Sequence, residues 1–344
     1  MSAGRPERRP GPAPAAAGRS AAAPVPEEGV DLRVSLGPVE LEHPLVDASG
    51  TFDAVEYARR ARGDFFAAFP YAAYVPKTVT VEPRAGNPPP RVTETAAGMI
   101  NAIGLANPGV DAWLGSLSEL EALRQPMLVS VGGNAPEHYA AVVRAVEAWA
   151  AGRAGARPAV AGYELNVSCP NLSGGLLIGA EPAATAEVVA AVRAETGRPV
   201  FTKLTPNVTD VLPVAAAALE AGSTGLALVN TFKALVLEPK SLRPFLGNRT
   251  GGLCGPAIKP IALRLVAEVA AAFPGVPLVG MGGVVCGLDA LEFIACGATA
   301  VAVGAANFKG VEVPRRILAE LRRELAARGF AGVSEARGVA LAGA

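Results

Sequence analysis

Residues 199–231 read PVFTKLTPNVTDVLPVAAAALEAGSTGLALVNT, and this stretch decides the fold. Pro199–Leu204 is a short, nearly continuous apolar run with Lys203 near its end. Residues 209–221 are rich in Ala, Leu and Val at helical spacing, and Gly225–Asn230 is a second apolar run that stops at Asn230-Thr231. Apolar runs without alternation suit parallel strands buried on both faces. A strand, a helix and a parallel strand within so few residues make one crossover unit.

The same unit repeats outward in both directions. Candidate strands are Pro44–Ala48, Tyr74–Thr78, Met127–Val131, Gly162–Val167, Pro199–Leu204, Gly225–Asn230, Pro277–Met281 and Thr299–Val303. Helical spacing marks 137–151, 181–196, 209–221, 256–273, 287–296 and 313–328. Eight strands alternating with helices predict an α/β fold of the (β/α)₈ TIM-barrel type, with long loops at its C-terminal face. An open doubly wound sheet is the alternative, but it usually brings an early G-x-G-x-x-G turn, and none opens the first helix. Residues 79–126 and 231–255 are too long for simple loops, and in a barrel they belong to the catalytic face.

Composition narrows the function. Of 344 residues, 51% are hydrophobic and 18% charged, which is enough to build a large core. Lys plus Arg and Asp plus Glu both number 31, so nothing in the charge balance points to nucleic acid. No apolar run approaches the roughly 18 residues of a membrane helix. The four cysteines, 169, 254, 286 and 296, show no C-x-x-C spacing, and there are only two histidines. No metal site is expected on this chain. Residues 1–28 contain six prolines and no secretory apolar core; they read as a disordered leader ahead of one domain over 29–344. The chain is expected to be cytoplasmic.

The polar residues collect where the strands end. In strand order these are Ser49-Gly50, Lys77-Thr78, Ser130, Asn166 through Asn171, Lys203, Asn230-Thr231, Gly282-Gly283 and Gly304-Ala305. In a barrel they converge on one pocket. The two glycine-containing turns suit a phosphate cradle of backbone N–H groups, or else tight turns that need positive φ. A lone Cys is more often a small buried hydrophobe. Cys169 stands apart because Asn166 and Asn171 flank it and Pro170 stiffens the turn; Asn amides suit a polar heterocycle. Only six lysines stand among many arginines, so each Lys is a better candidate for a point charge in a tight site.

Seven motifs in order carry a resemblance: Gly86-Asn-Pro…Pro90-Arg91, Gly98-Met-Ile-Asn-Ala-Ile-Gly-Leu105, Asn166-Val-Ser-Cys-Pro-Asn171, Lys203-Leu-Thr-Pro-Asn207, Gly251-Gly-Leu-Cys-Gly-Pro256, Gly280-Met-Gly-Gly283 and Val303-Gly-Ala-Ala-Asn-Phe308. Together they resemble the class 1 dihydroorotate dehydrogenases, most of all the class 1B catalytic subunit, over about residues 31–330. Class 2 enzymes have Ser where Cys169 stands and an amino-terminal membrane-associated helix, and this chain shows neither. The resemblance implies an FMN-dependent barrel that oxidises (S)-dihydroorotate to orotate in pyrimidine biosynthesis. Cys169 matches the base that takes the C5 proton while hydride passes from C6 to flavin N5. A thiolate is competent there if its neighbours lower its pKa. Lys203 matches the residue that stabilises negative charge near flavin N1, and Lys77 the lysine reaching both flavin and substrate.

The resemblance also assigns substrate contacts to Asn101, Ala102, Ile103, Gly104, Leu105, Asn166, Asn171, Asn230 and Thr231. Flavin contacts fall to Ser49, Thr78, Ser130, Asn166, Val229, Gly255, Gly282, Gly283, Gly304 and Ala305. Ser130 stands where the class 1B pattern has Asn, Cys254 where the family usually has Ser, and Thr51–Glu56 lacks the usual Gly/Phe-rich form. The class 1B pattern implies a partner subunit carrying FAD and an iron–sulfur cluster, with NAD⁺ as acceptor, in a heterotetramer built on a barrel homodimer. The chain itself has neither clustered Cys nor an early dinucleotide turn for that work. A fumarate-dependent class 1A enzyme and a dihydropyrimidine dehydrogenase-like flavin barrel are the alternatives.

Overall fold

The computed structural model describes residues 24–60, 65–153, 155, 157–168 and 178–342. Its strands are β1 (Val34–Leu36), β2 (Val39–Leu41), β3 (Leu45–Asp47), β4 (Val92–Thr95), β5 (Gly98–Asn101), β6 (Met127–Val131), β7 (Val160–Asn166), β8 (Val200–Lys203), β9 (Gly225–Leu228), β10 (Phe232–Leu235), β11 (Thr250–Cys254), β12 (Leu278–Met281) and β13 (Ala300–Val303). Seven of them form one parallel sheet in the order β3-β13-β12-β9-β8-β7-β6.

The eighth stave is residues 72–79. Ala72 N–H donates to Leu45 O at 3.0 Å on one side. On the other, Tyr74 and Val79 make isolated parallel bridges to Met127 and Val131. Seven of the eight expected strands are regular, with ends within about two residues of the sequence reading. The second, Tyr74–Thr78, is not a regular strand. Pro76 has no N–H to give to a ladder. The Val75 N–H instead donates to the Asp47 carboxylate at 2.7 Å.

The helices Pro136–Ala151, Pro182–Arg193, Leu212–Glu220, Lys259–Ala272, Gly287–Ala295 and Val313–Ala327 fall on the six stretches with helical spacing. Five of them carry Pro in the first turn, where a missing N–H is harmless and the fixed φ is already helical. Ile317, Leu321 and Leu325 of the last one recur every fourth residue and are all fully buried against the barrel.

Two cores result. The larger lies between the helices and the outward faces of the strands. The smaller fills the barrel itself with Val46, Val75, Leu128, Phe201, Val279 and Met281. The β1–β2 hairpin adds Leu36, Val39 and Leu41 to it, and so closes the N-terminal end. The two long stretches are not plain loops. They supply β4, β5, β10 and β11, an antiparallel sheet in the order β10-β11-β5-β4. This sheet has its own small core of Ile100, Ala102 and Leu246. No helix among the described residues is long and apolar enough to cross a membrane.

Candidate active site

Alternation along the strands decides which side chains enter the barrel. On β7, Tyr163 and Leu165 pack outward against the helices, so Glu164 and Asn166 point inward. On β8, Val200 packs outward and Phe201 inward, which sends Lys203 inward as well. On β6, inward-facing Leu128 places Ser130 on the same side. Ladder register sets Ser130 beside Glu164 and Asn166 beside Lys203.

The result is a buried polar floor at the C-terminal end of the barrel. Lys203 Nζ donates to Ser49 Oγ at 3.0 Å and lies 3.4 Å from Glu164 Oε1. Ser130 Oγ donates to the same carboxylate oxygen at 3.3 Å and lies 2.9 Å from Thr78 Oγ1. Asn166 Nδ2 donates to Thr78 Oγ1 at 3.3 Å, and Asn230 Nδ2 donates to Asn166 Oδ1 at 3.2 Å and Ser168 Oγ at 2.9 Å.

Above the floor opens a pocket of about 770 Å³. Ser49, Lys77, Thr78, Asn166, Lys203 and Val229 line it at the strand ends, with Asn230 and Thr231 beyond. Gly255, Gly282, Gly283, Gly304 and Ala305 form another wall. Asn101, Ala102, Ile103, Gly104 and Leu105, at the end of β5 and beyond, form the rest of the lining expected from sequence. Cys169 and Asn171 lie outside the described residues. Ser130, expected as a flavin contact, is not among the pocket-lining residues: it is fully buried beside Thr78, and its hydroxyl donates to Glu164.

The lining has one sign of charge. Its charged side chains are Lys77, Arg84, Lys203 and Lys233; among the described lining residues there is no Asp or Glu. Such a pocket suits an anion. The glycine wall shows how a phosphate could approach. Gly283 sits at φ +90°, and a Cβ there would lie 2.9 Å from Gly255 O and from the Lys259 Cβ. The backbone is therefore bare at this point, as a cradle of N–H groups requires. The donor set and the bare backbone fit an anionic, phosphate-bearing ligand.

Two further groups were not evident from sequence. Glu164 lies inside an apolar strand and is 5% exposed; a lone acid in such a run was its only signal. Asp47, at the end of β3, is buried, and its Oδ2 has no hydrogen-bond partner. Burial, with repulsion from Glu164, raises its carboxyl well above the usual range despite the Val75 N–H and the Lys203 charge. A raised native pKa means that stability is lost as pH climbs from the unfolded value towards the native one. Asp47→Asn keeps an acceptor for Val75 and should melt like the wild type near pH 4. At pH 8 it should be the more stable, by about 1.4 kcal/mol for each unit by which the raised pKa exceeds the unfolded one, up to that pH. Equal melting curves at both pH values would refute this. Cys254 faces the pocket beside Asn101, and burial pushes its thiol up, away from a reactive thiolate.

The dihydroorotate dehydrogenase family model matches residues 31–325. Over 314 residues the chain is 44% identical to the catalytic subunit of dihydroorotate dehydrogenase B (NAD⁺) of Desulforudis audaxviator, covering 90% of this chain and 98% of that one. The chain belongs to the dihydroorotate dehydrogenase family. The subunit of the same name from Geobacter metallireducens is 43% identical over 311 residues, 89% of this chain and 96% of that one. Among solved structures, a family member from Eimeria tenella, in complex with ferulenol, superposes with a TM-score of 0.74 at 25% identity, over 91% of this chain and 89% of that one. The family's barrel thus accounts for the irregular eighth stave as part of a closed fold.

Proposed function

We propose that this chain is the flavin-bearing catalytic subunit of an NAD⁺-linked dihydroorotate dehydrogenase, oxidising (S)-dihydroorotate to orotate in pyrimidine biosynthesis. The observation that carries the reading is a pocket with four cationic side chains, several asparagines and no carboxylate in its described lining. A phosphate-bearing cofactor and a carboxylate substrate both need such a lining. FMN held by Ser49, Thr78, Lys203, Val229, Gly255 and the Gly282–Gly283 and Gly304–Ala305 turns would supply the hydride acceptor. Lys203 holds a positive charge at the buried floor, where negative charge on the ring can be met without solvent reorganisation. The amides of Asn101, Asn166 and Asn230 address the ring, and the backbone from Ala102 to Leu105 addresses the carboxylate. Cys169 takes the C5 proton, following Ser168, whose N–H donates to Asn166 Oδ1 at 3.4 Å.

The partner reading is tested directly. The purified chain should be yellow and should bleach anaerobically with dihydroorotate. Alone it should reduce NAD⁺ slowly; adding a subunit with FAD and an iron–sulfur cluster should restore NAD⁺ reduction and yield an assembly of two copies of each chain, its mass read by light scattering. Fast NAD⁺ reduction by the chain alone would defeat the two-subunit reading, and fast fumarate reduction would move the chain to class 1A.

A further inference from the structure

Glu164 does not line the pocket, yet a continuous chain of hydrogen bonds leads from it to two asparagines that do. A carboxylate can only accept, and this sets the direction of every link. The Ser130 hydroxyl donates to Glu164 Oε1 at 3.3 Å. Its oxygen is then left to accept, so at 2.9 Å the Thr78 hydroxyl is the donor. Thr78 Oγ1 in turn accepts from Asn166 Nδ2 at 3.3 Å. That orients the Asn166 amide, whose Oδ1 accepts from Asn230 Nδ2 at 3.2 Å and from Ser168 N–H at 3.4 Å. The second N–H of Asn230 is used on Ser168 Oγ at 2.9 Å, while Asn230 Oδ1 accepts from Thr231 N–H at 2.8 Å. One N–H of Asn166 and one lone pair of Asn230 Oδ1 remain, and both residues face the pocket.

We propose that Glu164 sets the hydrogen-bond polarity of the pocket: acting through Ser130 and Thr78, it makes Asn166 present a donor and Asn230 an acceptor. A donor beside an acceptor is the complement of a cyclic amide edge, a ring C=O next to a ring N–H. The ligand class is therefore a cyclic amide or ureide, and its identification with dihydroorotate and orotate rests on the proposed function. Glu164 is a positioning residue in this scheme. Lys203 Nζ, 3.4 Å from Oε1, faces it with donors only, and Ser130, fully buried, and Thr78, 2% exposed, pass that choice on through the short contacts between them.

Ser130→Ala cuts the chain but leaves the Lys203 contacts with Glu164 and Ser49 in place. In the FMN-loaded chain it should weaken orotate binding, measured by calorimetry, about tenfold, the size expected when buried polar groups lose a partner. FMN affinity should change far less. The KM for dihydroorotate should rise while flavin reduction at saturating substrate stays within a few-fold. Glu164→Gln, whose amide can donate back to Ser130, should weaken orotate at least as much. The double variant should bind orotate no worse than Glu164→Gln alone, since one chain cannot be cut twice. Additive losses, or orotate affinity within twofold of wild type in Ser130→Ala, would overturn the proposal. The side-chain amide NMR signals of Asn166 and Asn230 read the polarity with or without ligand. They should shift in Ser130→Ala, and unmoved signals would also overturn it. A wild-type chain that ignores orotate while these signals still respond would refute the substrate reading and leave the polarity standing.

Discussion

Replacing Cys169 with alanine is expected to slow reduction of the bound flavin by dihydroorotate about 10²–10⁴-fold, the usual worth of a positioned general base. The flavin itself should stay bound, because its proposed contacts come from other strands. The argument is chemical and local. Removing hydride from C6 while C5 keeps its proton would leave a cation on the ring, so the base shares in the barrier. Cys169 follows Ser168, which Asn166 and Asn230 tie to the pocket wall. Cys254, the thiol among the described pocket-lining residues, cannot take over: burial raises its pKa, and its Sγ lies 3.4 Å from the Met99 carbonyl oxygen. Cys169→Ser should be intermediate, and only at high pH, because an alcohol gives up its proton far less readily than a thiol. Stopped-flow absorbance of the flavin under anaerobic conditions measures this. Wild-type rates in the alanine variant would remove Cys169 from the mechanism.

Lys203→Ala should destabilise the chain by about 3–5 kcal/mol, the cost of leaving one member of a buried ion pair alone. The side chains of Lys203 and Glu164 are only 7% and 6% exposed, so water cannot replace the missing ammonium. FMN affinity should fall as well, since the positive charge of the floor is gone. Lys203→Arg should rescue neither property fully. A planar guanidinium is larger than an ammonium and cannot fit the place held by contacts to Ser49 Oγ and Glu164 Oε1. Adding Glu164→Gln to Lys203→Ala should recover part of the lost stability, because no charge then remains unpaired. Denaturant melts of the flavin-free variants test the set. A double variant less stable than Lys203→Ala would show that the ion pair is not the source of the loss.

Much of the barrel was legible because its physics is local. Met127–Val131, Val200–Lys203 and Ala300–Val303 are largely apolar runs with both faces buried, the pattern of a parallel strand inside an α/β fold. The helices announced themselves by spacing. The stave at 72–79 was half legible: Pro76 stands in the sequence, but its removal of the ladder is seen only beside β3 and β6. The antiparallel sheet over the barrel was hidden. Its strands pair residues far apart in the chain, such as Met99 with Cys254, and register of that kind leaves no short-range signal. Gly252 shows the consequence, since a Cβ there would overlap the Thr231 side chain, and nothing in the local sequence tells of that approach.

The site divides in the same way. Residue types and their places at the strand ends, from Ser49 to Ala305, follow from sequence alone, because a parallel barrel delivers every strand end to one face. Sequence also supplied the motifs through which the family is recognised. What only the tertiary structure decided is the relation between those residues. Ser130 serves Glu164 from below the pocket, Asp47 is left with an unpartnered oxygen, and the hydroxyls and amides run in one direction towards a carboxylate. Charge sign and side-chain type are properties of single residues and can be read along a chain. Burial, desolvation and hydrogen-bond direction belong to groups brought together from different strands, so they come into being only when the barrel closes.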